Sequence, residues 1–92
     1  MEKDYLAIAK FTATAGVEHY EIVLKLVQYG GFDYGNRHGL IYDAYENGKL
    51  MRTDYFDARY DHRFNSEKAF KENALAFVKG QLRDDLVVEQ IN

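Results

Sequence analysis

Leu40-Ile41-Tyr42-Asp43-Ala44-Tyr45-Glu46-Asn47-Gly48-Lys49-Leu50-Met51-Arg52-Thr53-Asp54-Tyr55 reads as a β-hairpin, and the rest of the chain can be ordered around it. Asn-Gly suits a two-residue type I′ turn, because both central positions need positive φ. That turn sets Glu46 opposite Lys49 and Asp43 opposite Arg52, two cross-strand ion pairs. Leu40, Tyr42 and Ala44 then share a mostly apolar face with Met51, Thr53 and Tyr55.

Upstream, a tight turn centred on Ala15-Gly16 pairs Phe11 with Tyr20, Ala9 with Ile22, Ala7 with Leu24 and Tyr5 with Leu26. Every residue on that face is apolar or aromatic, while Lys10–Glu21 and Thr12–His19 make a wet reverse side. A one-residue slip would invert the faces, so the agreement favours a second hairpin. The competing reading makes residues 17–29 a helix ending at Gly30. Between the hairpins, residues 30–38 read as a polar loop punctuated by Gly30, Gly31 and Gly35.

Downstream the period changes. Asn65 or Ser66 can cap a helix, and Glu67 suits its first turn. Phe70, Ala74, Phe77, Val78 and Leu82 form a helical stripe, with Lys68, Lys71, Glu72 and Lys79 on the outer face. Residues 86–91 fit either an extension of this helix or a short edge strand. The expected fold is a single α+β domain over residues 1–92: an antiparallel sheet of about four strands, as two hairpins, with one C-terminal helix on one face.

Composition bounds the function. The chain has 92 residues, 47% hydrophobic and 15% aromatic, which is globular rather than disordered. It has no cysteine, so disulfides and thiolate metal sites are excluded. No long apolar run or signal-like N-terminus is present, and a soluble cytoplasmic protein, in a bacterial host, is the expectation. Residues 1–30, 31–64 and 65–92 each carry one more acid than base, a net charge of −3 without a basic arm. Nucleic acid is therefore not expected as the main partner.

Chemistry-bearing motifs are sparse. His19, His38 and His62 show no metal-ligand spacing, and no phosphate loop or nucleophile elbow occurs. Ser66, the one serine, is already used as a cap. Asp57, Asp61 and His62 could in principle bind a divalent metal, but nuclease work usually needs further carboxylates or a lysine held close, which the sequence gives no reason to expect. We expect no catalytic residue, no metal and no cofactor.

Two features stand apart. Residues 54–64 alternate acids, arginines and aromatics, and Tyr and Arg are enriched at binding hot spots. Alternatively, Arg59 pairs with Asp57 or Asp61 to pin the connection, while Tyr60 and Phe64 plug the core. The other feature is the use of eight tyrosines, of which Tyr29, Tyr34 and Tyr45 fall outside the inferred core faces. The candidate partner-binding set is Tyr45, Arg52, Asp57, Arg59, Tyr60, Asp61 and Arg63.

The run from Tyr45 to Leu50, followed by Tyr55-Phe56-Asp57-Ala58-Arg59-Tyr60-Asp61 and a helix, resembles small proteins of bacterial phages and mobile elements. In size, acidity and lack of an active site the chain is similar to anti-CRISPR proteins. That resemblance implies a stoichiometric inhibitor masking a surface of a host protein or complex, and it transfers no individual residue role. The expected function is thus a non-enzymatic protein-binding module, monomer or homodimer, without membrane attachment. One rival is a nucleic-acid accessory protein using Arg37, Arg52, Arg59 and Arg63; another is a small metal-dependent enzyme.

Overall fold

A computed structural model describes residues 3–29 and 37–92. The elements are β1 (Lys3–Ala15), β2 (Glu18–Tyr29), β3 (Arg37–Glu46), β4 (Lys49–Asp57), a 3-10 turn (His62–Phe64), α1 (Glu67–Gln81) and β5 (Val87–Gln90). The strands form one antiparallel sheet in the order β4-β3-β2-β1-β5. The α+β fold with a C-terminal helix on the sheet is as expected, but the sheet has five strands. Glu18–Tyr29 form β2, so the helix alternative for residues 17–29 does not hold. The fifth strand comes from the tail: Leu82 is extended at φ −112, ψ 161, and Val87–Gln90 returns to pair with Phe11–Thr14. The reading of residues 30–38 as a loop lies largely outside the described residues, and β3 has begun by Arg37.

Both hairpins depart in register from the sequence reading, each for a local reason. In the first, the two turn residues are Gly16 and Val17, with Gly16 at φ +60. Glycine first and a non-positive φ second is the II′ preference. Partners therefore shift by two, to Phe11–Ile22 and Ala9–Leu24, and the apolar face survives because the shift is even. An irregularity at Leu6 then sets Tyr5 opposite Val27, off the face assigned to it. In the second hairpin, Asn47 (φ 53) and Gly48 (φ 79) make the expected turn and Glu46 faces Lys49. Met51 is an extra residue between the Tyr45–Leu50 and Ala44–Arg52 pairs. One extra residue inverts the alternation beyond it. Asp43 consequently faces Thr53, not Arg52, and Thr53 and Tyr55 leave the Leu40–Tyr42–Ala44 face to Arg52, Asp54 and Phe56.

Ala9, Phe11, Ala13, Ile22, Leu24, Leu26, Leu40 and Tyr42 are buried on the face that receives Phe70, Ala74 and Val78 of α1. Ser66 caps the helix, its Oγ accepting the Ala69 N–H at 3.1 Å. Phe77 meets Phe56 and Phe64 edge to face, at ring-centroid distances of 5.1 and 5.4 Å. Length leaves part of this face bare. The 13-residue β1 rises about 44 Å, whereas the 15-residue α1 rises about 22 Å. The helix lies over β1 and β2, and the β3–β4 hairpin extends past its C-terminal end.

Candidate protein-binding surfaces

The connector between β4 and α1 is built on a repeated Asp-x-Arg staple. Asp57 Oδ1 accepts the Arg59 backbone N–H at 3.0 Å, while its Oδ2 accepts Arg59 Nε at 3.0 Å and lies 2.9 Å from Nη2. Asp61 repeats the arrangement, accepting the Arg63 backbone N–H and Nε at 3.0 Å and Nη2 at 2.8 Å. At Asp61 the planar guanidinium meets both carboxylate oxygens with two parallel donors, whereas at Asp57 both guanidinium donors converge on Oδ2; each staple fixes orientation as well as charge. Hydrogen bonding from Arg63 holds the Asp61 carboxyl below the usual carboxylate range, and Asp61 in turn raises Arg63.

The turn between the staples is also tied down. Ala58, itself buried, donates its N–H to the His38 carbonyl at 3.0 Å, and Asp61 donates to the Ala58 carbonyl at 3.2 Å. Phe64 is fully buried, and Arg63 lies 5.1 and 6.0 Å from the Phe64 and Phe77 ring centroids. Tyr60 does the opposite of plugging the core: it is 88% exposed, with the Arg59 guanidinium 5.6 Å from its ring centroid.

The seven candidate residues do not form one patch. Asp57, Arg59, Tyr60, Asp61 and Arg63 gather in the connector. Arg52, five residues back along β4, stands about 17 Å from Asp57. Tyr45 is half-buried on β3 opposite Leu50, and Arg52 is exposed and bonded to Asp54 at 2.7 Å. Arg52, Arg59 and Arg63 each hold a neighbouring carboxylate, so the arginine set of the nucleic-acid reading is largely neutralised in place. The side chains of Arg37 and Tyr29, and Tyr34 entirely, lie outside what the structure describes.

Two further surfaces stand out, of which the first has no counterpart in the sequence reading. The first is a cleft of about 330 Å3 beyond the helix C-terminus, where Ile22, Tyr42, Met51, Leu82 and Leu86 make apolar walls. On its rim Glu18 accepts the Tyr20 hydroxyl at 2.7 Å and Arg83 Nη2 at 2.9 Å, while Arg83 Nε donates to Asp85 at 3.0 Å. The Tyr20 and Arg83 hydrogen bonds hold Glu18 below the usual carboxylate range, the same bond raises Tyr20, and burial raises Tyr42. Glu18 and Arg83 are 65 positions apart, and no local pattern announces their meeting.

The second is the sheet face opposite α1. Asp43, only 6% exposed, accepts Thr53 Oγ1 at 2.7 Å and lies 3.2 Å from Lys25 Nζ. Lys25 also stands 5.5 Å from the Tyr5 ring centroid. Exposed Ile8, Leu50 and Tyr55 occupy the same face.

Among the described residues, no three His, Cys, Asp or Glu side chains converge to hold a metal. Asp57 is bonded to Arg59 and Asp61 to Arg63. No helix among these residues is long and apolar enough to cross a membrane. Compared with known proteins, the chain matches no family model, no curated protein and no solved structure.

Proposed function

We propose that the chain is a non-enzymatic protein-binding module whose anchor is Tyr60. One observation carries this reading: an aromatic ring 88% exposed on a turn stapled from both sides. A rigid aromatic loses little conformational freedom on docking, which is why such residues dominate binding energies. Burying roughly 150 Å2 of ring would contribute about 4 kcal/mol before the costs of association. The staples supply preorganisation, and the unstapled face of Arg59 offers donors at the rim. The form of partner, a host protein or defence complex masked by a phage-borne inhibitor, rests on the sequence resemblance.

The test is recovery of a partner with the tagged protein from bacterial lysate, followed by affinity measurement on the purified pair. Tyr60→Ala should weaken binding by at least about tenfold, while Tyr20→Phe at the distant cleft should leave it unchanged. Equal affinity for wild type and Tyr60→Ala would exclude the anchor. Failure to capture a partner, with CRISPR nuclease activity unaffected, would remove the inhibitor reading.

A further inference from the structure

Strand β4 ends the sheet, and among the described residues no strand pairs with its outer edge. On the opposite side β5 is only 4 residues long and covers only Phe11–Thr14 of β1; β4 is the outermost strand along its 9 residues and is largely exposed. A long edge offers a row of backbone N–H and C=O groups to another strand unless charges or proline block it. There is no proline in the chain. The charges at the centre of β4 are Arg52 and Asp54, on one face, opposite in sign and 2.6 Å apart at Nη2 and Oδ2.

That pair makes the edge complementary to itself in one register. When two copies of a strand pair antiparallel about a twofold axis normal to the sheet, facing residues must share a face, so the axis falls on a residue. On Arg52 it would set arginine against arginine, and on Asp54 aspartate against aspartate, both repulsive. With the axis on Tyr55, Asp54 would face Phe56 with no cation opposite. On Thr53 each Arg52 faces Asp54 of the second copy, and Thr53 faces its own equivalent on the other side of the sheet. Arg52 is 68% exposed and Asp54 33% exposed, so both are accessible to a second copy.

We propose that β4 is a self-association edge, joining two copies of this chain about a twofold axis at Thr53 into one ten-stranded sheet. Two intrachain ion pairs then become a closed square of two arginines and two aspartates. The Met51 bulge bounds the regular ladder on either side of the axis, so the contact is short and the dimer depends on concentration. This interface leaves Tyr60 outside it and is independent of the anchor reading.

Sedimentation across a concentration series should show the monomer–dimer equilibrium in the wild-type chain. Arg52→Asp or Asp54→Arg alone should weaken the dimer by about tenfold or more, because each places like charges across the axis. The double exchange Arg52→Asp/Asp54→Arg should restore it. The absence of native cysteine permits a second test. Thr53→Cys should form an intermolecular disulfide on mild oxidation, since facing residues approach within disulfide reach, and Tyr55→Cys should not. Thermal unfolding of each variant confirms that the domain is intact. A wild-type monomer at every concentration, a dimer indifferent to Asp54→Arg, or cross-linking through position 55 in place of 53 would overturn the proposal.

Discussion

The Tyr55 ring occupies the space beside Gly39: a Cβ at position 39 would fall 2.5 Å from Tyr55 Oη and 2.6 Å from the ring. Gly39 itself pairs with Asp57 and Tyr55 with Ile41, so the ring leans diagonally across β3. Strand glycines commonly mark such close approaches. The half-exposed Tyr55 ring must shift to admit the Cβ, so Gly39→Ala should cost about 1–2 kcal/mol in chemical denaturation. In a Tyr55→Ala background the same substitution should cost little, a non-additivity that identifies the contact.

Phe64 carries the connector. Phe64→Ala should destabilise the domain by about 3–4 kcal/mol, since the ring is fully buried and its neighbours Phe70 and Phe77 cannot close the void. Trypsin should also cleave at Arg59 and Arg63 faster than in the wild type, as the 3-10 turn loses its anchor.

The helix start offers a smaller effect. Ser66→Ala removes the acceptor for the Ala69 N–H and should cost about 1 kcal/mol, whereas Ser66→Asp should retain most of the stability.

Acid should release the second staple. The Asp61 carboxyl is depressed chiefly by its hydrogen bond from the Arg63 side chain, so its stabilisation belongs to the ionised form. It is fully present above the unfolded aspartate value of about 3.9 and is lost as pH falls through the lower folded value. Proteolysis of the connector by an acid-active protease should therefore accelerate on acidification through that window. Asp61→Asn should cleave rapidly across the whole range.

The Lys25–Asp43–Thr53 cluster behaves as a unit. Lys25→Met leaves a carboxylate that is only 6% exposed with one fewer partner, and should cost about 2 kcal/mol. Lys25→Met combined with Asp43→Asn should cost less than the two single changes added together, read from a double-mutant cycle.

Much of this architecture is legible from residue types, and the errors have identifiable causes. The Asn47-Gly48 turn and the Phe70–Ala74–Val78 stripe are strong local patterns, and both stand where residue chemistry puts them. Gly16 also marks a turn, but its residue type does not say whether it is the first or second central residue, and that choice moves every partner by two. Met51 has no feature that declares a bulge, yet it reassigns Arg52 and Thr53 to opposite faces. The Asp57–Arg59 and Asp61–Arg63 staples are visible as a repeated spacing, whereas the cleft requires Glu18 and Arg83 to meet through the fold. Tyr60 follows neither hydrophobic period closely enough for its exposure to be read from composition.

The pairing of Val87–Gln90 with Phe11–Thr14 has a consequence for biosynthesis. While the chain is being made, the Phe11–Thr14 stretch of β1 has to wait for more than seventy further residues before its outer partner emerges from the ribosome. Until then the growing polypeptide presents that strand uncapped, and a slowed ribosome lengthens the interval in which a neighbouring nascent chain could take the place of β5.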